Sequence, residues 1–150
     1  MSEPSPLLSP LKPATTSARL WRNEQFVADN WLLLADSDAL PATGAIVLTL
    51  SRWRTERASP ALERRDIGVI LQSHEIFDDA DDVWRLGLVA LAFPKFTDGR
   101  AYSIARRLRE RGYSGEIRAT GDVLLDQLPL MLRAGFDAFE IVNAAAIRAL

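Results

Sequence analysis

The chain has 150 residues, of which 48% are hydrophobic and 25% are charged, and its net charge is −2. The composition is that of a globular protein, and the length suits one domain and is too short for two ordinary ones. The near-neutral charge creates no overall field for nucleic acid or an anionic membrane. The sequence has no cysteine and one histidine, His74. Disulfides, thiol catalysis, cysteine-ligated clusters and sites built from several imidazoles are therefore excluded within this chain.

The first 17 residues predict a disordered tail, and residues 18–150 predict a single domain. Pro, Ser and Thr dominate the tail, and this composition cannot bury enough apolar surface to offset the entropy of ordering. Four prolines fall within residues 1–13, so no export signal is indicated. No apolar stretch approaches the roughly 18 residues of a membrane span. We therefore expect a cytoplasmic protein.

The apolar pattern predicts alternating strands and helices. A β-hairpin or two short strands are expected over residues 19–34, where the runs 20–22 and 25–27 flank Asn23 and Glu24 and the run 31–34 follows. Five buried strands are predicted at residues 46–50, 67–71, 88–93, 116–120 and 138–142. Helices are predicted at 52–58 with Ser51 as cap, at 77–86, at 100–111, at 123–134 and from about 144 onward.

This alternation is typical of βαβ units. The sequence therefore predicts an α/β fold with a mostly parallel sheet and right-handed crossovers. Whether the sheet is open or an incomplete barrel is left undecided. Pro129 leaves two alternatives for the helix at 123–134: the helix is kinked there, or it begins at Leu128 with Gln127 as its cap.

Three loops are expected to meet at one rim of the sheet. They follow the third, fourth and fifth buried strands and cover residues 94–100, 120–122 and 142–144. Ligands of parallel α/β sheets bind beyond the C-terminal ends of the strands. The first two loops are the informative ones, because they combine charged residues with glycine.

The candidate site at this rim is an anion site. Cationic side chains and glycine backbone near a helix start are suited to binding a negative group, and here they are Lys95, Gly99, Arg100, Arg118 and Gly121. Asp98 and Asp122 would orient the cations. A catalytic version of the site would use Lys95, Asp98 and Asp122.

Each candidate also has a purely structural interpretation. Asp98 and Asp122 are residues favoured as helix N-caps, and Lys95 fits an ordinary exposed lysine. Arg100 fits an ion pair with either aspartate. The arginines at 106–111 indicate a solvated helix face, because no aromatic residues are interleaved for nucleic acid. No nucleotide, flavin or metal motif is recognised, so any cofactor is unknown.

The segment Phe93–Arg100, with the sequence FPKFTDGR, resembles a known family. The similarity covers about residues 26–142 and is densest at 107–113, 115–119, 121–124, 126–128 and 135–140. These residues resemble bacterial domain-of-unknown-function proteins encoded beside assimilatory sulfite reductase genes. Such proteins are often named probable oxidoreductases of sulfite reduction, a name that reflects gene neighbourhood more than chemistry. The resemblance implies a role in assimilatory sulfite or sulfate reduction.

Three hypotheses follow. The leading one is an accessory protein that binds the sulfite reductase, its electron donor or a small anion. The first alternative is a small enzyme, oxidoreductase or lyase-like, that acts on an anionic substrate with Lys95 as acid or base and Asp98 or Asp122 as its partner. The second alternative is a structural interaction module. No nucleic-acid or membrane partner is expected, and the sequence does not indicate an oligomeric state.

Overall fold

The computed structural model describes residues 19–72, 74–93, 99–121 and 123–150. The predicted tail at 1–17 lies outside these residues. Three candidate site residues also lie outside them, namely Lys95, Asp98 and Asp122.

Within these ranges, eight strands form one sheet. They are β1 (Arg19–Arg22), β2 (Gln25–Val27), β3 (Trp31–Leu33), β4 (Ala45–Thr49), β5 (Ile67–Leu71), β6 (Leu88–Phe93), β7 (Glu116–Gly121) and β8 (Ala138–Ile141). Their order across the sheet is β2-β1-β8-β7-β6-β5-β4-β3. The helices are α1 (Leu50–Glu56), α2 (Arg100–Glu110), α3 (Leu128–Ala134) and α4 (Ala144–Ala149).

Strands β3 to β8 are parallel and lie side by side in chain order. Because successive crossovers have the same hand, this order places the described helices on one face of the sheet. Strand residues that point to this face, such as Val69 and Ile117, are fully buried in one core cluster with Trp53 of α1 and Met131 of α3. The described helices leave the opposite face uncovered.

The link between β2 and β3 requires the sheet to curl. These strands are the two edges of the sheet, and seven strand spacings laid flat would separate them by roughly 34 Å. Only residues 28–30, here called the crossing segment, connect Val27 to Trp31. A chain of that length spans at most about 15 Å. The edges therefore approach each other, and the sheet is an open half-barrel whose concave face carries no helix among the described residues.

This architecture confirms the α/β prediction, and the sheet is an open one that is curled into a half-barrel. The prediction of a mostly parallel sheet is wrong, because the N-terminal hairpin joins the same sheet and makes it mixed. Strand β1 pairs antiparallel with both β2 and β8. The hairpin itself forms as predicted, since Asn23 and Glu24 take positive φ angles of 54° and 62°, as a tight two-residue hairpin turn requires.

The predicted helix at 77–86 is wrong. The chain forms two short 3-10 turns instead, at Asp79–Asp81 and Val83–Arg85. Asp82 lies between them with a left-handed backbone, φ 56°, which interrupts an α-helix. The crossover between β5 and β6 is therefore irregular, although its apolar residues have helical spacing.

A buried carboxylate fixes these turns. Asp81 accepts hydrogen bonds from Arg54 Nε at 2.7 Å and Nη2 at 2.8 Å. It also accepts one from the Asp78 backbone N at 2.7 Å. The indole N–H of buried Trp53 donates to the Asp81 carbonyl at 2.6 Å. These contacts tie the turns to α1, and they outweigh the local preference for a helix.

Helix α1 begins two residues earlier than predicted. The Thr49 hydroxyl accepts a hydrogen bond from the Arg52 backbone N at 3.2 Å, so Thr49 is the N-cap and the prediction of Ser51 is wrong. The first residue of the helix, Leu50, is buried. Burial of this leucine favours the earlier start.

The second alternative for Pro129 is confirmed. Helix α3 begins at Leu128 after the N-cap Gln127, and Pro129 lies in the first turn, where its missing N–H has no intrahelical partner to lose. A helix start at residue 123 is therefore wrong. All helices in the described ranges are short, and none is both long and apolar enough to cross a bilayer.

We predict that Asp81→Asn weakens the fold in a pH-dependent way. The bonds from Arg54 hold the pKa of Asp81 below its usual range, so ionised Asp81 stabilises the fold at neutral pH. This contribution is lost as the pH falls below the unfolded value of about 3.9 toward the lower folded value. Urea denaturation at pH 7 should show a loss of about 1.5–3 kcal/mol, nearer the lower figure because the Arg54 side chain is 43% exposed. At pH 3 the difference from wild type should shrink.

The matched control is Asp79→Asn. This carboxylate belongs to the same turn, but its side chain is 92% exposed and its contact with Arg111 is 3.4 Å long. Its loss should stay within about 0.5 kcal/mol at both pH values. Equal losses for the two variants, or a pH-independent loss for Asp81→Asn, would contradict the role of Asp81.

Candidate functional site

The strand order supports the predicted rim. Strands β6, β7 and β8 are neighbours and end at Phe93, Gly121 and Ile141, so the segments that follow them leave from the same edge. Gly99 and Arg100 lie at the start of α2 and are exposed. Of the candidates that the structure describes, the rim therefore holds Gly99, Arg100 and Gly121.

Gly121 is required by the approach of two strands. It ends β7 opposite Phe93 of β6, and its φ is +89°. A Cβ at this position would fall on the Phe93 carbonyl oxygen. Glycine therefore satisfies both the backbone angle and the close contact. The approach of a ligand to this glycine stays a prediction.

Arg118 lies on the concave face and not at the rim. Its side chain is 3% exposed. The guanidinium donates from Nε to Glu116 at 2.9 Å, and from Nη1 to Asp29 at 3.0 Å and to Glu140 at 3.2 Å. These carboxylates belong to β7 itself, to the crossing segment and to β8. One side chain therefore joins three separate parts of the sheet.

A second arginine extends this group. Arg22 of β1 donates to the other oxygen of Glu116 at 2.6 Å. We call Arg22, Asp29, Glu116, Arg118 and Glu140 the arginine cluster. It holds two guanidinium groups and three carboxylates, so its carboxylates outnumber its cations by one.

Burial and this excess of carboxylates set the ionisation of the cluster. Burial alone would lower the pKa of Arg118, but Glu116 and Asp29 raise it, so the guanidinium stays charged. Burial raises the pKa of Glu140, and although Arg118 opposes the rise, Asp29 and Glu116 add to it. Glu140 therefore binds a proton more readily than an ordinary glutamate.

The surroundings of Arg118 do not favour an anion site shared with the cations of the rim, because three carboxylates already balance its charge. Sequence reasoning placed Glu116 on the same strand face as Arg118, and the 2.9 Å contact confirms this. It missed Asp29 and Glu140, which are 89 and 22 residues away in the chain. Only the curl and the strand register bring them together, and neither leaves a signal in one sequence.

A cavity of about 250 Å³ lies on the concave face beside the cluster. Its apolar part is formed by five aliphatic strand residues, Leu33, Val47, Ile70, Leu88 and Ala90. Its polar end is formed by Asp29, Arg118, Thr120 and Glu140, and Trp31 also lines it. Among the residues that the structure describes, no group of three or more His, Asp or Glu is arranged to hold a metal ion.

We predict that Gly121→Ala destabilises the protein more than Gly44→Ala does. Both glycines have positive φ, +89° and +104°, but a Cβ at Gly44 would meet no atom within 4 Å. Gly44→Ala should therefore cost only the backbone strain, about 1–2 kcal/mol. Gly121→Ala adds the collision with Phe93 and should cost at least about 1 kcal/mol more. Thermal and urea unfolding of the two variants measure the difference, and equal costs would show that β6 and β7 do not approach this closely.

Comparison with known proteins identifies the family. Residues 68–150, from β5 to the last residue, match the family described as "Bacterial protein of unknown function (DUF934)". The matched region is more than half of the chain and contains the rim and Arg118. Neither the curated proteins nor the solved structures give a match. The chain is therefore a member of the bacterial family DUF934.

Proposed function

We propose that the chain is an accessory protein of assimilatory sulfite or sulfate reduction that binds the sulfite reductase, its electron donor or a small anion. The observation that carries this proposal is the position of the segment that resembles the sulfite-reduction family. It begins at Phe93, the last residue of the interior strand β6, and ends at Arg100, the first residue of α2. Segments at the C-terminal ends of parallel strands are those that bind ligands and partners in α/β proteins.

The start of α2 supports binding of a negative group. Gly99, its N-cap, has no side chain with which to satisfy the first backbone N–H groups of the helix, which are suited to an anionic acceptor. Arg100 is exposed at this end, where the helix dipole favours an acidic residue. Arg100 therefore adds a positive charge beside these backbone N–H groups.

The proposal assigns the contact to the rim and not to the arginine cluster. An anion at Arg118 would have to compete with carboxylates at 2.9–3.2 Å and would meet their repulsion. Arg118 is therefore a structural residue in this proposal. Lys95 and Arg100 are the cations proposed to face the partner.

A deletion strain tests the proposal. Without the gene, a bacterial host should grow poorly on sulfate or sulfite and normally on cysteine, and wild-type protein should restore growth and co-purify with the reductase or its donor. The double variant Lys95→Ala/Arg100→Ala should fail in both assays, because it removes the two rim cations. The control Arg106→Ala/Arg107→Ala removes two exposed charges from the same helix and should behave as wild type. Normal growth of the deletion strain on sulfate, with no co-purification, would contradict the proposal.

Lys95→Arg separates binding from catalysis. Arginine keeps the positive charge but stays protonated, so it cannot act as an acid or base near neutral pH. If Lys95 binds a partner or anion, Lys95→Arg should restore growth while Lys95→Ala does not. Loss of growth with both variants would favour the enzyme alternative.

A further inference from the structure

The cavity on the concave face has the form of a small-molecule site. It reaches the rim at Gly121, but the proposed function assigns no contact to it. Its apolar part consists of side chains from β3, β4, β5 and β6, and its polar groups lie on β7, β8 and the crossing segment. An apolar cavity with a few convergent polar groups is the usual form of such a site. Its volume of about 250 Å³ suits a small ring compound.

Arg118 has one donor atom that the cluster does not use. Nε and Nη1 make three hydrogen bonds to carboxylates. Nη2 is buried and has no hydrogen-bond partner in the described part of the chain. Buried donors are almost always paired in folded proteins. A ligand that brings an acceptor to this end of the cavity would supply the missing partner.

The neighbouring carboxylates require a hydrogen-bond donor on the ligand. Asp29 and Glu140 line the same cavity, and their side chains are 38% and 31% exposed, so they can accept further hydrogen bonds. A ligand here meets an unpaired donor beside two acceptors. A carboxylate would satisfy only the donor and would add to the excess of negative charge. An amidinium would satisfy only the acceptors.

We infer that this cavity binds a small, flat, largely apolar molecule whose polar end is a neutral amide or lactam. In this arrangement the amide carbonyl of the ligand accepts from Arg118 Nη2, and the amide N–H of the ligand donates to Asp29 or Glu140. The apolar body of the ligand would then lie against the aliphatic lining, which includes Leu88 and Ala90.

Three probes with the same ring distinguish the head groups. Benzamide, benzoate and benzamidine carry a neutral, an anionic and a cationic head, and each is titrated into the full ¹⁵N-labelled chain and followed by NMR. Benzamide should shift the amide signals of residues 88–90, 118–120 and 28–31. Its Kd should be lower than that of either charged probe by at least about tenfold. Tighter binding of benzoate or benzamidine, shifts confined to other regions, or no shift with any probe would overturn the inference.

Two alanines of β6 provide matched variants. Ala90 lines the cavity, whereas Ala92, two residues further along the same face, does not. Ala90→Leu should raise the Kd for benzamide by at least about tenfold because the added carbons fill the cavity. Ala92→Leu should leave it unchanged. Equal affinity of the two variants would overturn the inference, and should Ala90→Leu fail to fold, the three-probe comparison on wild type decides.

Discussion

Arg118 carries a full positive charge into the concave face of the half-barrel, where its side chain is 3% exposed. Such burial is tolerated only when opposite charges and hydrogen bonds compensate for lost hydration. Glu116, Asp29 and Glu140 provide this compensation from β7, the crossing segment and β8. Removing the arginine would leave three carboxylates together without their main counter-charge. The guanidinium therefore joins the crossing segment to β7 and β8 on the concave face.

The cluster also explains how the edges of the sheet are held. The hairpin lies on one edge and β3 on the other, and the helices in the described part of the chain cover the convex face. Arg22 joins the hairpin to Glu116, and Asp29 joins the crossing segment to Arg118. The hairpin and the crossing segment are thus linked to the same strand, β7, from the concave side. This linkage leaves a cavity beside the cluster on the concave face.

Local sequence patterns predicted strands and helices well where a strand is apolar throughout or a helix has one clear apolar face. The strands at 67–71 and 88–93 and the helix starting at Arg100 were placed correctly, because continuous apolar runs and a clear amphipathic stripe have few alternative structures. Prediction failed at 77–86, where the apolar spacing is helical but a buried bond between Asp81 and Arg54 imposes turns. That contact joins residues 27 apart in the chain, and no local pattern reveals it.

The site was harder to predict than the fold because its contacts also join residues that are far apart in the chain. The rim follows from topology alone, so Gly99, Arg100 and Gly121 could be assigned to it from strand order. The role of Arg118 could not, because its partner Asp29 is 89 residues away and reaches it only through the crossing segment. A charged residue in a buried strand indicates that partners exist, but their identity depends on register and curl.

A double-mutant cycle between Arg118 and Asp29 tests the central claim most directly. The free energies of unfolding of Arg118→Met, Asp29→Asn and the double variant give the coupling energy between the two side chains. If the guanidinium holds the crossing segment, this energy should be about 1 kcal/mol or more, whereas a cycle between Arg118 and exposed Glu63 should give less than about 0.5 kcal/mol. A coupling energy with Asp29 as small as that with Glu63 would show that Arg118 does not hold the crossing segment to β7.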